Sequence, residues 1–372
     1  MDQELNLSNV PRLTVGRITE LLEQVYGAAL DGYLPMHSLP AVMLWGPPGV
    51  GKSQAVRQLA DRLAERTGKD VRVTDVRLLL FNPIDLRGIP TANADKTAAV
   101  WLRPQIFRMD PGSEVLNILF LDEISAAPPS VQAAAYQITL DRTVGEHRLP
   151  DNCIVIAAGN RTTDKSVAYK MPKALANRLL HLEVELNFEA WRRWAVGVGI
   201  HPKVIAFLAF RQSYLNHFDP ATEDLAFATP RSWEMVSKLL HTAGDDLDTL
   251  YPLIAGLVGT GVAIELQTWE KVYRQLPAIE DIFAGKNPPV PKNTDALYAL
   301  TASMTAYARD HRQDLQAIAC SIRYADRLPP DFSVLVMKDY LYLEPGYREK
   351  LMKIPEFSRW LSTKGRFLNG IV

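Results

Sequence analysis

The stretch GPPGVGKS, Gly46 to Ser53, limits what this 372-residue chain can fold into more than any other. It follows a short apolar run, AVMLW (Ala41 to Trp45), that reads as a buried strand. It opens SQAVRQLADRLAERTG (Ser53 to Gly68), whose apolar residues recur at helical spacing before a closing glycine. Strand, glycine-rich turn and helix in that order satisfy the pattern G-x-x-x-x-G-K-[ST] in the setting that gives it chemistry. Gly46, Gly49 and Gly51, with Pro47, Pro48 and Val50 between them, let backbone N–H groups curl around phosphate oxygens. The helix N-terminus adds the positive end of its dipole. In such a loop Lys52 reaches the β- and γ-phosphates and Ser53 holds Mg²⁺. The competing reading is a glycine-rich turn with an incidental lysine.

A second run supports the first reading. LFLDEI (Leu119 to Ile124) is a buried strand ending in two carboxylates. Asp122 there can bind Mg²⁺ through water, and Glu123 can polarise the attacking water, because in-line attack on a γ-phosphate needs a base beside it. A helix-capping acid pair is the plainer reading, but no other strand offers the carboxylate that a phosphate loop requires. VIAAGN (Val155 to Asn160) is a further strand with a polar end. The Asn160 amide can bridge water and γ-phosphate, or be an ordinary turn asparagine.

The rest of the chain alternates in the same way. Residues 12 to 30 read as a helix, Val71 to Val76 as a strand and Ser130 to Leu140 as a helix. DRTVGEHRLP (Asp141 to Pro150) reads as a small hairpin turning at Gly145. LLHLEVE (Leu179 to Glu185) is another strand, reached through MPKALANR, a short amphipathic helix. Strands alternating with helices imply an α/β fold, with a mostly parallel sheet covered on both faces. Beyond residue 188 the pattern is helical, and the proline cluster GKNPPVPKN (Gly285 to Asn293) reads as a linker.

Composition excludes more than it suggests. A formal net charge of -1 gives no global field for nucleic acid or an anionic membrane. Two distant cysteines, Cys153 and Cys320, argue against a disulfide scaffold and fit a reducing, cytoplasmic setting. The polar, acidic start MDQELNLSNVPRL is not a signal peptide. The apolar stretch Thr249 to Ile264 is short for a membrane span and broken by Pro252, Gly256, Gly259 and Gly261. The seven histidines show no zinc-ligand spacing.

These motifs together resemble an AAA+ ATPase. They are a Walker A loop at 46–53, a Walker B strand at 119–123, a sensor-1 Asn160, an arginine at the end of the next helix, and ATPRSW (Ala228 to Trp233). More narrowly, the chain resembles the MoxR-type ATPases of the helix-2-insert group. FNPIDLRGIP (Phe81 to Pro90) is similar to that group's insert after the second strand, and DRTVGEHRLPDN to its pre-sensor-1 hairpin. The resemblance covers about residues 12 to 285. It implies a five-stranded parallel sheet of order 5-1-4-3-2, with the sensor strand between the Walker strands. The implied layout is a nucleotide-binding domain over 1–187, with an insert at about 81–112 and a hairpin at about 141–150. A helical lid over 188–287 and a C-terminal helical extension over 288–372 complete it.

The resemblance also assigns roles. Arg231 would be sensor 2, a cation on the γ-phosphate, against the plainer reading of an exposed residue at a helix start. Arg178 matches the arginine finger that reaches a neighbouring subunit's site, against the plainer reading of a surface ion pair. Asn177 stands where relatives often carry aspartate, which leaves the finger's local orientation open. Arg142 and Arg161 are further candidates for contacts with a neighbour. TVGRI (Thr14 to Ile18) matches an element that packs on adenine. The cofactors implied are ATP and Mg²⁺, and the assembly a ring, expected as a hexamer. Its expected partner is a protein with a von Willebrand factor A domain, remodelled or matured by ATP turnover. Asp85, Arg87 and Lys96 of the insert, and Arg142, Glu146, His147 and Arg148 of the hairpin, would face the ring's centre.

Two other functions compete. One is a nucleic-acid-stimulated motor or loader using the tail from Tyr347 to Val372. That tail carries six basic and two acidic residues, interleaved with Tyr347, Phe357, Trp360 and Phe367. The same pattern suits a helix docked on its own domain, which the near-neutral chain favours. The other is a nucleotide-gated switch without turnover, which an intact Glu123 and Asn160 argue against.

Overall fold

A computed structural model describes residues 9–365 except 33, 162–170, 172, 220, 223, 245, 274 and 345. Contacts divide the chain into two units, Met1–Leu186 and Asn187–Val372.

In chain order the first unit holds β1 (Arg12–Leu13), α1 (Val15–Leu30), β2 (Val42–Trp45), α2 (Lys52–Thr67) and β3 (Asp70–Arg77). Then come α3 (Pro83–Arg87), β4 (Ile89–Ala92), β5 (Ala99–Leu102), β6 (Val115–Asp122) and α4 (Pro129–Asp141). The unit closes with β7 (Thr143–Val144), β8 (His147–Arg148), β9 (Cys153–Gly159), α5 (Lys173–Ala176) and β10 (Leu180–Val184).

The strands β2, β6 and β9 are the apolar runs that enclose the nucleotide motifs. They are buried along almost their whole length, as strands covered on both faces must be. Side chains alternate between two cores. Val42, Leu44, Ile118, Phe120, Ile156 and Ala158 pack against α1 and α2. Met43, Trp45, Leu119, Leu121, Val155 and Ala157 pack against α4 and the segment after β3.

The sheet corrects the expected strand count. It has six parallel strands, in the order β1-β10-β2-β9-β6-β3, rather than five. The five expected strands keep the order 5-1-4-3-2, and β1 adds to the edge beside β10. The expected helix from residue 12 accordingly begins at Val15, capped by the Thr14 hydroxyl, which accepts from the Arg17 N–H. Two residues carry no readable period. What makes β1 a strand is the open edge of β10: Glu183 N–H donates to Pro11 O at 2.9 Å and Glu185 N–H to Leu13 O at 2.8 Å.

The irregular region after β3 contains more structure than its sequence suggested. Asn82 and Asp85 form a capping box that starts α3, and β4 pairs with β5 as an antiparallel hairpin. The β7–β8 hairpin turns at Gly145 as expected. That residue has φ +58°, and a Cβ on it would lie 2.5 Å from the Arg87 carbonyl oxygen. The two hairpins also meet where His147 Nε2 lies 2.7 Å from Trp101 O.

The second unit is helical: α6 (Phe188–Val198), α7 (Pro202–Phe210), α8 (Pro230–Ala243), α9 (Leu247–Val258), α10 (Thr260–Tyr273) and α11 (Ile279–Phe283). After the proline-rich segment follow α12 (Thr294–Asp310), α13 (Leu315–Ala325), α14 (Pro330–Tyr340), α15 (Tyr347–Met352) and α16 (Pro355–Lys364). Buried ion pairs join α6 to α14 (Arg192–Asp339, 2.6 Å) and α7 to α10 (Lys203–Glu270, 2.6 Å). In the tail, Tyr347, Phe357 and Trp360 are buried. Trp360 Nε1 donates to Ser333 Oγ at 2.7 Å, and the Tyr347 hydroxyl to Arg312 O at 2.8 Å. These rings are core of their own unit and present no stacking platform; Phe367 lies outside the described residues. Gly259, at φ +89°, splits the apolar stretch 249–264 between α9 and α10. No described helix is long and apolar enough to cross a membrane.

Candidate nucleotide site

The carboxyl ends of β2, β6 and β9 meet at one edge of the sheet. The chain leaves β2 at Trp45, turns through Gly46–Gly51 and enters α2 at Lys52. The turn needs glycine where φ is +152° at Gly46, +79° at Gly49 and +106° at Gly51. At Gly51 the space is also short, since a Cβ would lie 3.1 Å from Val15 Cγ2. Val15, of the TVGRI element, therefore backs the loop itself.

Lys52 draws the loop together. Its buried ammonium donates to Gly46 O at 2.6 Å, to Pro47 O at 3.0 Å and to Asn160 Oδ1 at 2.8 Å. The last bond joins α2 to the end of β9. Ser53 Oγ donates to Asp122 Oδ2 at 3.2 Å, which joins α2 to the end of β6. The other Asp122 oxygen accepts the Glu123 N–H at 2.9 Å. Ser53 and Asp122 are hard oxygen donors side by side, the kind that Mg²⁺ takes. Asp75, on the neighbouring β3, reports the same local field. Burial holds its carboxyl above the usual carboxylate range and the Asp122 charge adds to that, while Arg77 and Arg57 act the other way. A cation beside Asp122 would relieve this accumulation of negative charge.

Glu123 has φ +59°, a left-handed conformation that glutamate rarely adopts. Its carbonyl accepts from Ala126 and Ala127, at 3.0 and 3.2 Å, so the chain folds back at once. Among the described residues the Glu123 carboxylate has no hydrogen bond or ion pair. Asn160 is fixed at both ends, with its N–H donating to Ser125 Oγ at 2.9 Å and its side chain holding Lys52. Gly159 makes this approach possible, because a Cβ there would meet Met43 Cε at 2.8 Å and Ser125 Oγ at 2.9 Å. Ser125 and Glu123's backbone were missed from sequence, where neither leaves a signal.

The arginines separate into two groups. Arg161 donates to Glu183 Oε1 at 2.6 Å, and Arg12 to Glu183 Oε2 at 2.9 Å. Arg142 is left-handed at φ +55° and donates to the Cys153 carbonyl. Both are engaged within their own chain. Arg178, just after α5, is exposed and makes no hydrogen bond or ion pair among the described residues. Among the described residues, the surface ion pair suggested by its sequence is not formed. Arg231, second residue of α8 in the other unit, is likewise exposed and unbonded among the described residues.

No curated protein matches the chain. Among solved structures it is similar to a mutant of RuvB from Thermotoga maritima at 17% identity, covering 79% of this chain and 84% of that one, with a TM-score of 0.35. It is similar to NtrX from Brucella abortus in complex with ATP at 16% identity, covering 94% and 68%, with a TM-score of 0.37. C. elegans PCH-2 follows at 12% identity, covering 80% and 69%, with a TM-score of 0.33. Residues 41–181, which contain the loop, both acids and Asn160, match the family model described as "ATPase family associated with various cellular activities (AAA)". The likeness to AAA+ ATPases is carried by that segment, 141 of the 372 residues.

Proposed function

We propose that this chain is a MoxR-type AAA+ ATPase that hydrolyses ATP with Mg²⁺ as one subunit of a ring, in the cytoplasm, and uses turnover to remodel a partner protein. The observation that carries the enzymatic part is the pair of bonds Lys52–Asn160 and Ser53–Asp122, which bring the loop and two strand ends to one point. On this reading the N–H groups of Gly46–Gly51 and the Lys52 ammonium bind the β- and γ-phosphates. Ser53 and Asp122 hold Mg²⁺, which when bound neutralises charge on the β- and γ-oxygens. Glu123, its carboxylate uncommitted, polarises the attacking water, and Asn160 orients it. Arg178 of a neighbouring subunit meets the charge that develops on the transferring group, and a planar, permanently charged guanidinium suits that task. Arg231 adds a cation on the γ-phosphate of its own or a neighbour's nucleotide. The ring, expected as a hexamer, and a partner with a von Willebrand factor A domain follow from the MoxR resemblance. The insert and the β7–β8 hairpin are proposed as the surfaces that act on that partner.

A Glu123→Gln chain tests this. It should hold ATP, stay oligomeric and retain the partner on native co-purification. Hydrolysis independent of subunit concentration, with no ring formed in ATP and Mg²⁺, would reject the reading. Salt-sensitive stimulation by single-stranded DNA or RNA would favour a nucleic-acid motor instead.

A further inference from the structure

Strand β10 reads as apolar, yet its face toward Trp45 is polar. Leu182 and Val184 belong to the core on the α1 and α2 side, so His181 and Glu183 point to the other. His181 is bonded at both ring nitrogens. The Trp45 indole N–H donates to His181 Nδ1 at 2.9 Å, and the two rings lie nearly coplanar, with centroids 6.0 Å apart and planes at 17°. His181 Nε2 lies 2.7 Å from the Ala176 carbonyl oxygen. An indole N–H only donates and a carbonyl only accepts. The ring is therefore the Nε2–H tautomer, acceptor on one side and donor on the other.

The two partners matter more than the bonds. Trp45, 2% exposed, immediately precedes Gly46 of the phosphate loop. Ala176 ends α5, and Arg178 stands two residues on. A helix of four residues has no stability of its own, and its last carbonyls lack helical partners. Besides the His181 bond, Ala176 O accepts from the Leu179 N–H at 3.2 Å.

We propose that His181 is a positioning residue for Arg178: it fixes the end of α5 against the strand that carries the phosphate loop, so that the finger starts from a set place. The inference rests on the reading of Arg178 as a residue acting on a neighbour's nucleotide. A misplacement of about 1 Å can cost about 100-fold in rate, so an anchor two residues from the guanidinium is worth testing.

Three substitutions divide the bonds. His181→Phe keeps the ring against Trp45 and loses both. His181→Gln keeps a donor where Nε2 stood, toward Ala176. His181→Asn keeps an acceptor where Nδ1 stood, toward Trp45. In the full-length oligomer, His181→Phe and His181→Asn should lower kcat about tenfold or more, with the affinity for ATP unchanged, and His181→Gln should recover most of kcat. In an Arg178→Ala background, His181→Phe should add nothing. An equal loss in that background, wild-type kcat for His181→Phe, or a loss confined to ATP affinity would overturn the proposal. If Arg178→Ala itself turns over normally, the finger reading fails, and amide exchange decides the anchor separately. Lys173–Leu180 should exchange faster in the Phe and Asn variants than in the Gln variant; equal exchange in all would overturn it.

Discussion

Arg161 and Arg178 carry the same charge in the same stretch of chain, and the structure treats them oppositely. Arg161 follows Asn160 and is spent inward on Glu183, a carboxylate only 4% exposed that Arg12 grips from the other side. Arg178 follows α5 and is spent on nothing within the described residues of its own chain. A buried carboxylate needs compensation, and two guanidiniums from β1 and from the end of β9 supply it. An exposed arginine with no partner carries no structural duty that would bar it from another subunit's site. The pair thus divides into an arginine that builds the pocket and one that the pocket's own chain leaves available.

The largest test of that division removes the outward arginine. An Arg178→Ala chain should bind ATP as before and hydrolyse it about 1,000-fold more slowly, within the range for arginine fingers. Mixed with a Lys52→Ala chain, it should recover part of the activity, since some interfaces then join an intact pocket to an intact finger. Absence of recovery in verified mixed oligomers would return Arg178 to the surface.

Removing the inward arginine should look different. Arg161→Ala leaves Glu183 buried with Arg12 alone, and should cost about 1–3 kcal/mol of stability, read as a lower melting temperature. This cost sits below that for a fully buried pair because one arginine remains and the Arg161 side chain is 26% exposed. Because the damage is done inside the subunit, mixing with a Lys52→Ala chain should rescue no more than dilution allows. Rescue equal to that of Arg178→Ala would erase the distinction between the two.

What the sequence revealed of this site follows from how local each piece is. Gly46 to Ser53 is a contiguous motif whose glycines answer to backbone angles, so it could be read directly. The acids of β6 and the amide of β9 could be read from strand order, because parallel strands end on the same edge. Phe357 and Trp360, three residues apart on α16, are buried together as a helical spacing suggests. The missing pieces depend on partners distant in the chain: Trp45 and His181 are 136 residues apart, Arg12 and Glu183 are 171 apart. Within LLHLEVE, His181 and Glu183 look like the solvent side of an edge strand. Only the presence of α5, Arg161 and β1 turns that side inward. The strand β1 itself was invisible for the same reason, since it exists through the edge it covers.

Gly159 sharpens the comparison at the pocket. A methyl group there would collide with Met43 Cε and Ser125 Oγ, so Gly159→Ala should cost about 1–3 kcal/mol and shift Asn160 away from Lys52. Hydrolysis should fall more than ATP binding, and the fall should persist in any mixture of subunits.

Ser125→Ala should give the smallest effect and isolates the proposed role of Asn160 most cleanly. Ser125 is buried, and its hydroxyl accepts the Asn160 N–H, so deletion leaves that donor without its partner. The stability cost is about 1–2 kcal/mol. The Asn160 side chain keeps its bond to Lys52, so ATP affinity should hold while kcat drops severalfold as the backbone beneath the amide loosens. Ser125→Thr retains an acceptor oxygen but adds a methyl group in the space that already excludes a Cβ on Gly159; it should restore the hydrogen bond and lose packing instead. If Ser125→Ala weakens ATP binding and leaves kcat intact, Asn160 serves to hold the loop lysine and does not orient water, and it joins Arg161 among the residues that only build the pocket.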